Sequence, residues 1–284
     1  MPARTTARRK RTTARRRSKS PLVPSARTRR RALRALKSLR RAPPSTQIAV
    51  GFATTLVLWA FVNGVYQVIK KPTELFFPVS GTVDKRPAET WSEYQAIFRN
   101  HSTATISPEF LAALAQVEAS GNPVARTYWR WTWTIDPLEV YRPASSAVGM
   151  YQITNGTFDQ ARRYCIHRHV VVSDGPWYAW RSCWFNWLYF RVVPSHAVEL
   201  TSAYLDRAVA GALARHGLRA ATPVQKENLA ALTHLCGAGV GDRYARGGLV
   251  LSPALRCGDH GAKRYVDRVN GMKRVFAALA ARSD

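Results

Sequence analysis

No Asp or Glu occurs before Glu74 in this chain of 284 residues, although 17 of its 43 Lys and Arg residues lie within the first 41 positions. Uncompensated Arg-Arg-Lys-Arg and Arg-Arg-Arg blocks among Ser, Thr, Ala and Pro repel one another and bury nothing, which excludes a packed domain there. Cysteine is absent before Cys165, charge is absent from Gln47 to Ile69, and neither Cys-x-x-Cys nor His-x-x-x-His spacing occurs anywhere. The last absence argues against a zinc site despite His167, His169 and His234, and neither a metal nor a cofactor is expected. Strand-like alternation is scarce, so the folded part is expected to be mostly α.

What is present at the N-terminus is charge and then its opposite. Residues 1–30 read as disordered, and residues 31–41 predict a basic helix with Leu33, Leu36 and Leu39 on one side, suited to an anionic membrane surface. Such a tail also suits phosphate contacts to nucleic acid. Its neighbour argues against that as the main role. From Gln47 to Ile69, 23 residues pass without a charge; as a helix at about 1.5 Å per residue they reach roughly 35 Å, enough for a hydrocarbon core of about 30 Å. A cleaved signal peptide has a shorter apolar core and a small-x-small site, whereas this run ends in Lys70-Lys71-Pro72. A buried core helix is the other alternative, disfavoured by the basic tail ahead of it.

The expectation is therefore a basic cytoplasmic tail over 1–46 and one uncleaved transmembrane helix over 47–69 in the cytoplasmic membrane. The tail's positive charge holds the N-terminus inside, with the rest of the chain outside the cytoplasm. Cys165, Cys183, Cys236 and Cys257 all follow the anchor, and an even count in an oxidising compartment suggests two disulfides. Spacing leaves all three pairings open. Neighbours in the chain, Cys165 with Cys183 and Cys236 with Cys257, are the expected pairs, each closing a loop of about 20 residues worth roughly 3 kcal/mol.

Pro72, Pro78, Gly81 and Pro87 make residues 70–90 read as a linker, followed by a folded domain over 91–284. Within it Trp91–Phe98 looks helical, and helical signals are strong at 154–165, 195–216, 223–236 and 260–281. Pro194-Ser195 and Thr222-Pro223 mark two of the starts. A short amphipathic helix is expected from Ser107, which can cap it, through Pro108 in the first turn to Gly121 and Pro123, which end it. Phe110, Leu111, Leu114 and Val117 form its apolar face. Glu118 sits in the last turn, where desolvation and the negative end of the helix dipole both disfavour an ionised carboxyl. That position suits a general acid, although a glutamate there is more often simply solvated.

Three later segments single Glu118 out. Glu118-Ala119-Ser120-Gly121-Asn122-Pro123 is followed by Gly149-Met150-Tyr151-Gln152-Ile153, then by Ala230–Gly241, and last by Arg264-Tyr265-Val266-Asp267. In that order, over roughly residues 100–280, they resemble the soluble lytic transglycosylase domain of bacterial cell-wall enzymes, which has a lysozyme-like fold. The resemblance implies cleavage of the β-1,4 bond between the amino sugars of peptidoglycan. One glutamate acts as acid and then as base, while the sugar's own 6-hydroxyl attacks to leave a 1,6-anhydro end. It assigns that role to Glu118. Ser120, Gly149, the backbone at Met150 and Tyr151, the Gln152 side chain and Tyr265 become the implied substrate contacts.

The chain departs from the family pattern in three places. Ala119 stands where Ser usually follows the glutamate, Leu235-Cys236-Gly237-Ala238-Gly239 replaces Ala-Tyr-Asn-Ala-Gly, and Gly261-Ala262 replaces Glu-Thr. Ordinary glycosidases add a second carboxylate, and Asp136 or Glu139 would have to supply it in a hydrolase. The insert 126–146 and the cluster from Trp177 to Phe190 are rich in aromatics, two or three of which are expected as sugar contacts and the rest as packing. The implied partners are glycan strands, the membrane, and an envelope-spanning secretion or conjugation apparatus. A subunit that binds peptidoglycan without cleaving it is the alternative.

Overall fold

The computed structural model describes residues 26–76, 78–179 and 181–283. The chain divides into two units between Phe61 and Val62. In the first, helix α1 (Ala26–Leu39) begins five residues inside the stretch expected to be disordered, because Ala26-Arg-Thr-Arg-Arg-Arg-Ala-Leu is itself a good helix-forming sequence. The remainder of the expected disordered tail, and the side chains of Leu33 and Leu36, lie outside the described residues. Helix α2 (Pro44–Lys70) follows, extending the expected span by three residues at its start. Ile48, Phe52, Val57, Leu58 and Phe61 are exposed on it, and its threonines turn inward on the backbone, Thr54 Oγ1 to Val50 O at 2.7 Å and Thr55 Oγ1 to Gly51 O at 3.0 Å. Such back-bonding satisfies hydroxyls where no water can. It is the one described helix long and apolar enough to cross a membrane.

The second unit takes in the last turns of α2, and these are not free of protein. Asn63 and Gln67 are buried, and their side chains donate to Tyr141 O at 2.8 Å and Leu138 O at 2.7 Å. Residues 70–90, expected as a linker, are folded: 3-10 turns occupy Pro72–Phe76 and Ser80–Thr82. Buried Glu74 binds Lys71 at 3.1 Å, Arg126 at 3.0 Å and the Trp129 indole at 2.8 Å. A buried carboxylate is tolerated only with such a full set of partners, and sequence spacing does not reveal partners more than fifty residues away. Pro87 starts helix α3 (Pro87–Asn100), whose Trp91, Tyr94 and Phe98 are buried.

Helix α4 (Pro108–Ala119) is the centre of this unit. Ser107 Oγ accepts from Phe110 N at 3.2 Å and donates to Glu227 Oε1 at 2.6 Å, so the expected cap is also a tertiary link. The expected apolar face is present, but the helix is not amphipathic over this stretch: every residue from Phe110 to Ala115 is fully buried. Ala112, Ala113 and Ala115 carry too little side chain to mark a face, yet their smallness lets neighbouring helices close in on every side. Helices α3 and α9 (Ala262–Ser283) pack directly on α4, and α6 (Pro194–Arg215) and α7 (Pro223–Cys236) share the same core. They contribute Leu200, Leu229, Leu232, Val266, Val269 and Phe276 to the core.

The remaining elements are small. A hairpin pairs β1 (Trp129–Trp131) with β2 (Tyr141–Pro143), Trp131 facing Tyr141. Helix α5 (Asn155–Ala161), capped by Thr154, ends four residues before the expectation because Tyr164 begins a second hairpin, β3 (Tyr164–His167) with β4 (Val170–Ser173). β-Branched Val170, Val171 and Val172 favour that pairing. Helix α8 (Ala238–Arg246) and the short hairpin of β5 (Arg256–Cys257) and β6 (His260–Gly261) complete the unit.

Both expected disulfides are formed, Cys165–Cys183 with Cα atoms 5.3 Å apart and Cys236–Cys257 at 5.4 Å. The first ties β3 to the 3-10 turn Cys183–Leu188, and the second ties the end of α7 to β5. Non-reducing alkylation of protein isolated from its own cells should accordingly label no cysteine, and labelling of two or more would show that the bridges do not form there.

Candidate functional site

The last turn of α4 opens into a cleft. Ser120 closes the helix in the left-handed region, φ +50°, followed by Gly121 at +65°. The chain therefore turns sharply away just after Glu118, whose side chain is 17% exposed. Tyr265, in the first turn of α9, donates its hydroxyl to Glu118 Oε1. Burial first, and then the Glu118 charge, push the Tyr265 phenol well above its ordinary range. The phenol consequently stays a donor at neutral pH. His234 Nε2 on α7 lies 3.7 Å from the same oxygen, beyond hydrogen-bond length. Both neighbours sit on Oε1, and Oε2 has no partner among the described residues.

Space lies on two sides of this carboxylate. One half of the cleft, about 580 Å³, is lined by Glu118, Arg126, Tyr128, Gln152, Asp259, Arg264, Tyr265 and Arg268 among others. The other, about 410 Å³, is lined by Ser80, Asp84, Glu118, Ser120, Asn122 and Gln152 with their neighbours. Glu118, Arg126, Thr127, Tyr128 and Gln152 belong to both halves. Glu118 thus lies midway along an open groove. Arg268 donates to Val117 O at 2.6 Å, answering one of the carbonyls left unpaired at the end of α4 and bringing positive charge to its negative pole.

Gln152 is held opposite by a strained turn. Gly149 has φ +79° and Gln152 φ +48°. The Gln152 amide donates to Gly149 O at 2.9 Å, and its own oxygen has no partner among the described residues. A Cβ at Gly149 would stand 2.3 Å from Arg191 O. This glycine makes room for protein backbone, and it is buried away from the cleft. Met150 and Tyr151 are fully buried as well, Tyr151 donating to Leu111 O at 3.1 Å. Of the residues implied as substrate contacts, Ser120, Gln152 and Tyr265 line the cleft; Gly149, Met150 and Tyr151 do not. The middle of the turn is apolar and packs inward, an outcome set by tertiary contacts that the residue types of the motif do not reveal.

The aromatic expectation is corrected too. Tyr128 is the single aromatic of the insert that lines either half, and none from the described part of the Trp177–Phe190 cluster does. Trp187 instead stacks under the Arg162 guanidinium at 3.8 Å, and Trp184 on Phe185 at 3.7 Å. Trp180 lies outside the described residues. Asp136 and Glu139 are likewise absent from the cleft: Glu139 is bound by Lys70, Tyr66 and Arg142. Sequence reasoning missed Arg126, Asp84 and Asp259 in the walls, and considered His234 only for a zinc site that it argued against. No spacing signal marks them, since they come from four separate segments. The chain matches no protein-family model and no curated protein, so any reading of its activity has to come from this cleft.

Proposed function

We propose that the protein is a membrane-anchored lytic transglycosylase with a lysozyme-like domain, which opens peptidoglycan by cleaving the β-1,4 bond on the muramic acid side. The observation that carries this is the carboxylate of Glu118 in the wall of both halves of an open groove, with Oε1 taken by Tyr265 and Oε2 without a partner among the described residues. In this reading Glu118 gives its proton to the leaving O4 as the C1–O4 bond breaks. The 6-hydroxyl of the same sugar then attacks C1 and returns its proton to Glu118, so no water is consumed and no metal or cofactor is required. The Tyr265 hydrogen bond steadies the carboxylate between its two protonation states. Gln152 and Arg126 orient the strand across the junction of the two halves.

A hydrolase would need a second carboxylate beside the sugar. Asp136 and Glu139 are outside the groove, which leaves Asp84, bound by Asn122 at 2.8 Å, and Asp259. Incubated with purified sacculi, the full chain in detergent is expected to release 1,6-anhydromuramyl products, and Asp84→Asn and Asp259→Asn variants are expected to release them too. Reducing-end muramic acid as the sole product would identify a hydrolase instead. Binding of sacculi without any product would favour the alternative of a non-cleaving peptidoglycan subunit. The anchor and the basic tail support an N-terminus in the cytoplasm with the groove outside it, and the disulfides fit an oxidising compartment; service to a secretion or conjugation apparatus, rather than nucleic-acid binding, is proposed from the family resemblance.

A further inference from the structure

The hairpin of β1 and β2 carries the most exposed large apolar side chains of the second unit. Trp133 and Ile135 are 103% and 104% exposed. This is a built projection: Thr132 N bonds Val140 O at 2.7 Å, and Asp136 accepts from Leu138 N at 2.9 Å to close the tip. Trp129 and Trp131 both pack on Tyr141, with ring centroids 5.2 and 4.7 Å apart. Neither Trp133 nor Ile135 lines the groove. The fold thus spends an ordered hairpin on holding two apolar side chains out in the open.

What the hairpin is fastened to identifies what covers it. Its return strand and turn are bonded to the last two turns of α2: Asn63 to Tyr141 O, Gln67 to Leu138 O, and both Tyr66 and Lys70 to Glu139. A helix of 27 residues is about 40 Å long, while a hydrocarbon core of about 30 Å takes up roughly 20 residues. Counted from Pro44, the core is used up near Asn63, and Asn63–Lys70 falls in the headgroup layer. The hairpin is attached to that same stretch. We infer that Trp133 and Ile135 insert into the headgroup layer of the bilayer beside α2, so that the hairpin is a second, interfacial contact with the membrane. Trp is the side chain most at home there, its apolar ring buried and its N–H hydrated. Arg130 is exposed on the strand between the tryptophans, where anionic headgroups would meet it.

One consequence concerns the groove. Glu74 joins Trp129 at the hairpin base to Arg126 in the groove wall, so membrane contact at the tip fixes the height and tilt of the groove rather than leaving it on a flexible tether. The inference rests on α2 being the anchor proposed above, and the test separates the two.

The full chain, with Trp133→Cys or Ile135→Cys labelled by an environment-sensitive fluorophore, is reconstituted into vesicles of phosphatidylethanolamine and phosphatidylglycerol. Val250→Cys, at a position 77% exposed on another loop, serves as the aqueous control. The disulfides leave the introduced thiol as the one available for labelling. Labels at 133 and 135 are expected to be quenched by lipids carrying a nitroxide near the headgroup, and to be several-fold less accessible to aqueous iodide than the label at 250. Iodide accessibility equal to that of position 250, in protein that stays with the vesicles through alkaline extraction, would overturn the hairpin contact while leaving the anchor in place. Loss of the protein from the vesicles in that extraction would overturn both. Protection of the labels only on adding soluble glycan strands would overturn the inference in favour of a sugar contact.

Discussion

Replacing Glu118 by Gln is expected to cut the release of soluble muropeptides from sacculi by about 10² to 10⁴, the range supplied by one positioned acid. The amide fills the same space, and its oxygen can still accept from Tyr265, whose hydroxyl points at Oε1 in the parent. The thermal midpoint should therefore hardly move, and binding to sacculi should persist. The loss should appear in turnover rather than in affinity, because the proton is delivered only as the C1–O4 bond breaks. Tyr265 cannot take over: burial holds its phenol well above the neutral range, so it neither ionises as a base nor readily surrenders a proton. Release within a few-fold of the parent would remove Glu118 from the mechanism.

The second large effect is on stability. Gly149→Ala puts a Cβ 2.3 Å from Arg191 O on a backbone with φ +79°. The left-handed backbone alone costs an Ala roughly 1–2 kcal/mol. The clash is with backbone, and that backbone is pinned, because the Arg191 guanidinium donates to Ser146 O at 2.9 Å and Ile153 O at 2.7 Å across the same turn. With no flexible side-chain end to yield, the total should be about 3 kcal/mol or more. For a unit of this size that lowers the melting midpoint by about 6–12 °C. Since Gln152 hangs from Gly149 O, muropeptide release should fall even below the melting range. A midpoint within a degree of the parent would mean that Arg191 and its turn move aside freely.

The difference between what was legible and what was not follows the range of the forces involved. Local chemistry was readable. Ser107, Thr154 and Thr222 cap helices because a side-chain oxygen reaches a backbone N–H three residues on, and the uncharged run to Ile69 forms a helix long enough to span a bilayer. Even the hairpin had a signal, the alternation of Trp129, Trp131, Trp133 and Ile135, which aromatic content drew attention away from. Contacts across many residues were not readable: Glu74 with Arg126 and Trp129, or Asn63 with Tyr141, turned an expected linker and a lipid-facing helix end into parts of the folded unit.

The site divides the same way. Sequence alone determined that a glutamate ends a capped helix, that a glycine turn bearing Gln152 follows, that four cysteines lie beyond one apolar span, and that the positive charge is concentrated before it. Those properties depend on neighbouring residues, and the backbone enforces them wherever the chain goes. Only the tertiary structure decided that Tyr265 meets Glu118 across 147 residues, that Gln152 lines the groove while Met150 and Tyr151 turn into the core, and that of the insert's aromatics Tyr128 alone lines the groove. Those outcomes depend on how helices pack against α4, where six consecutive positions, three of them alanine, are fully buried and the small side chains let neighbours approach closely.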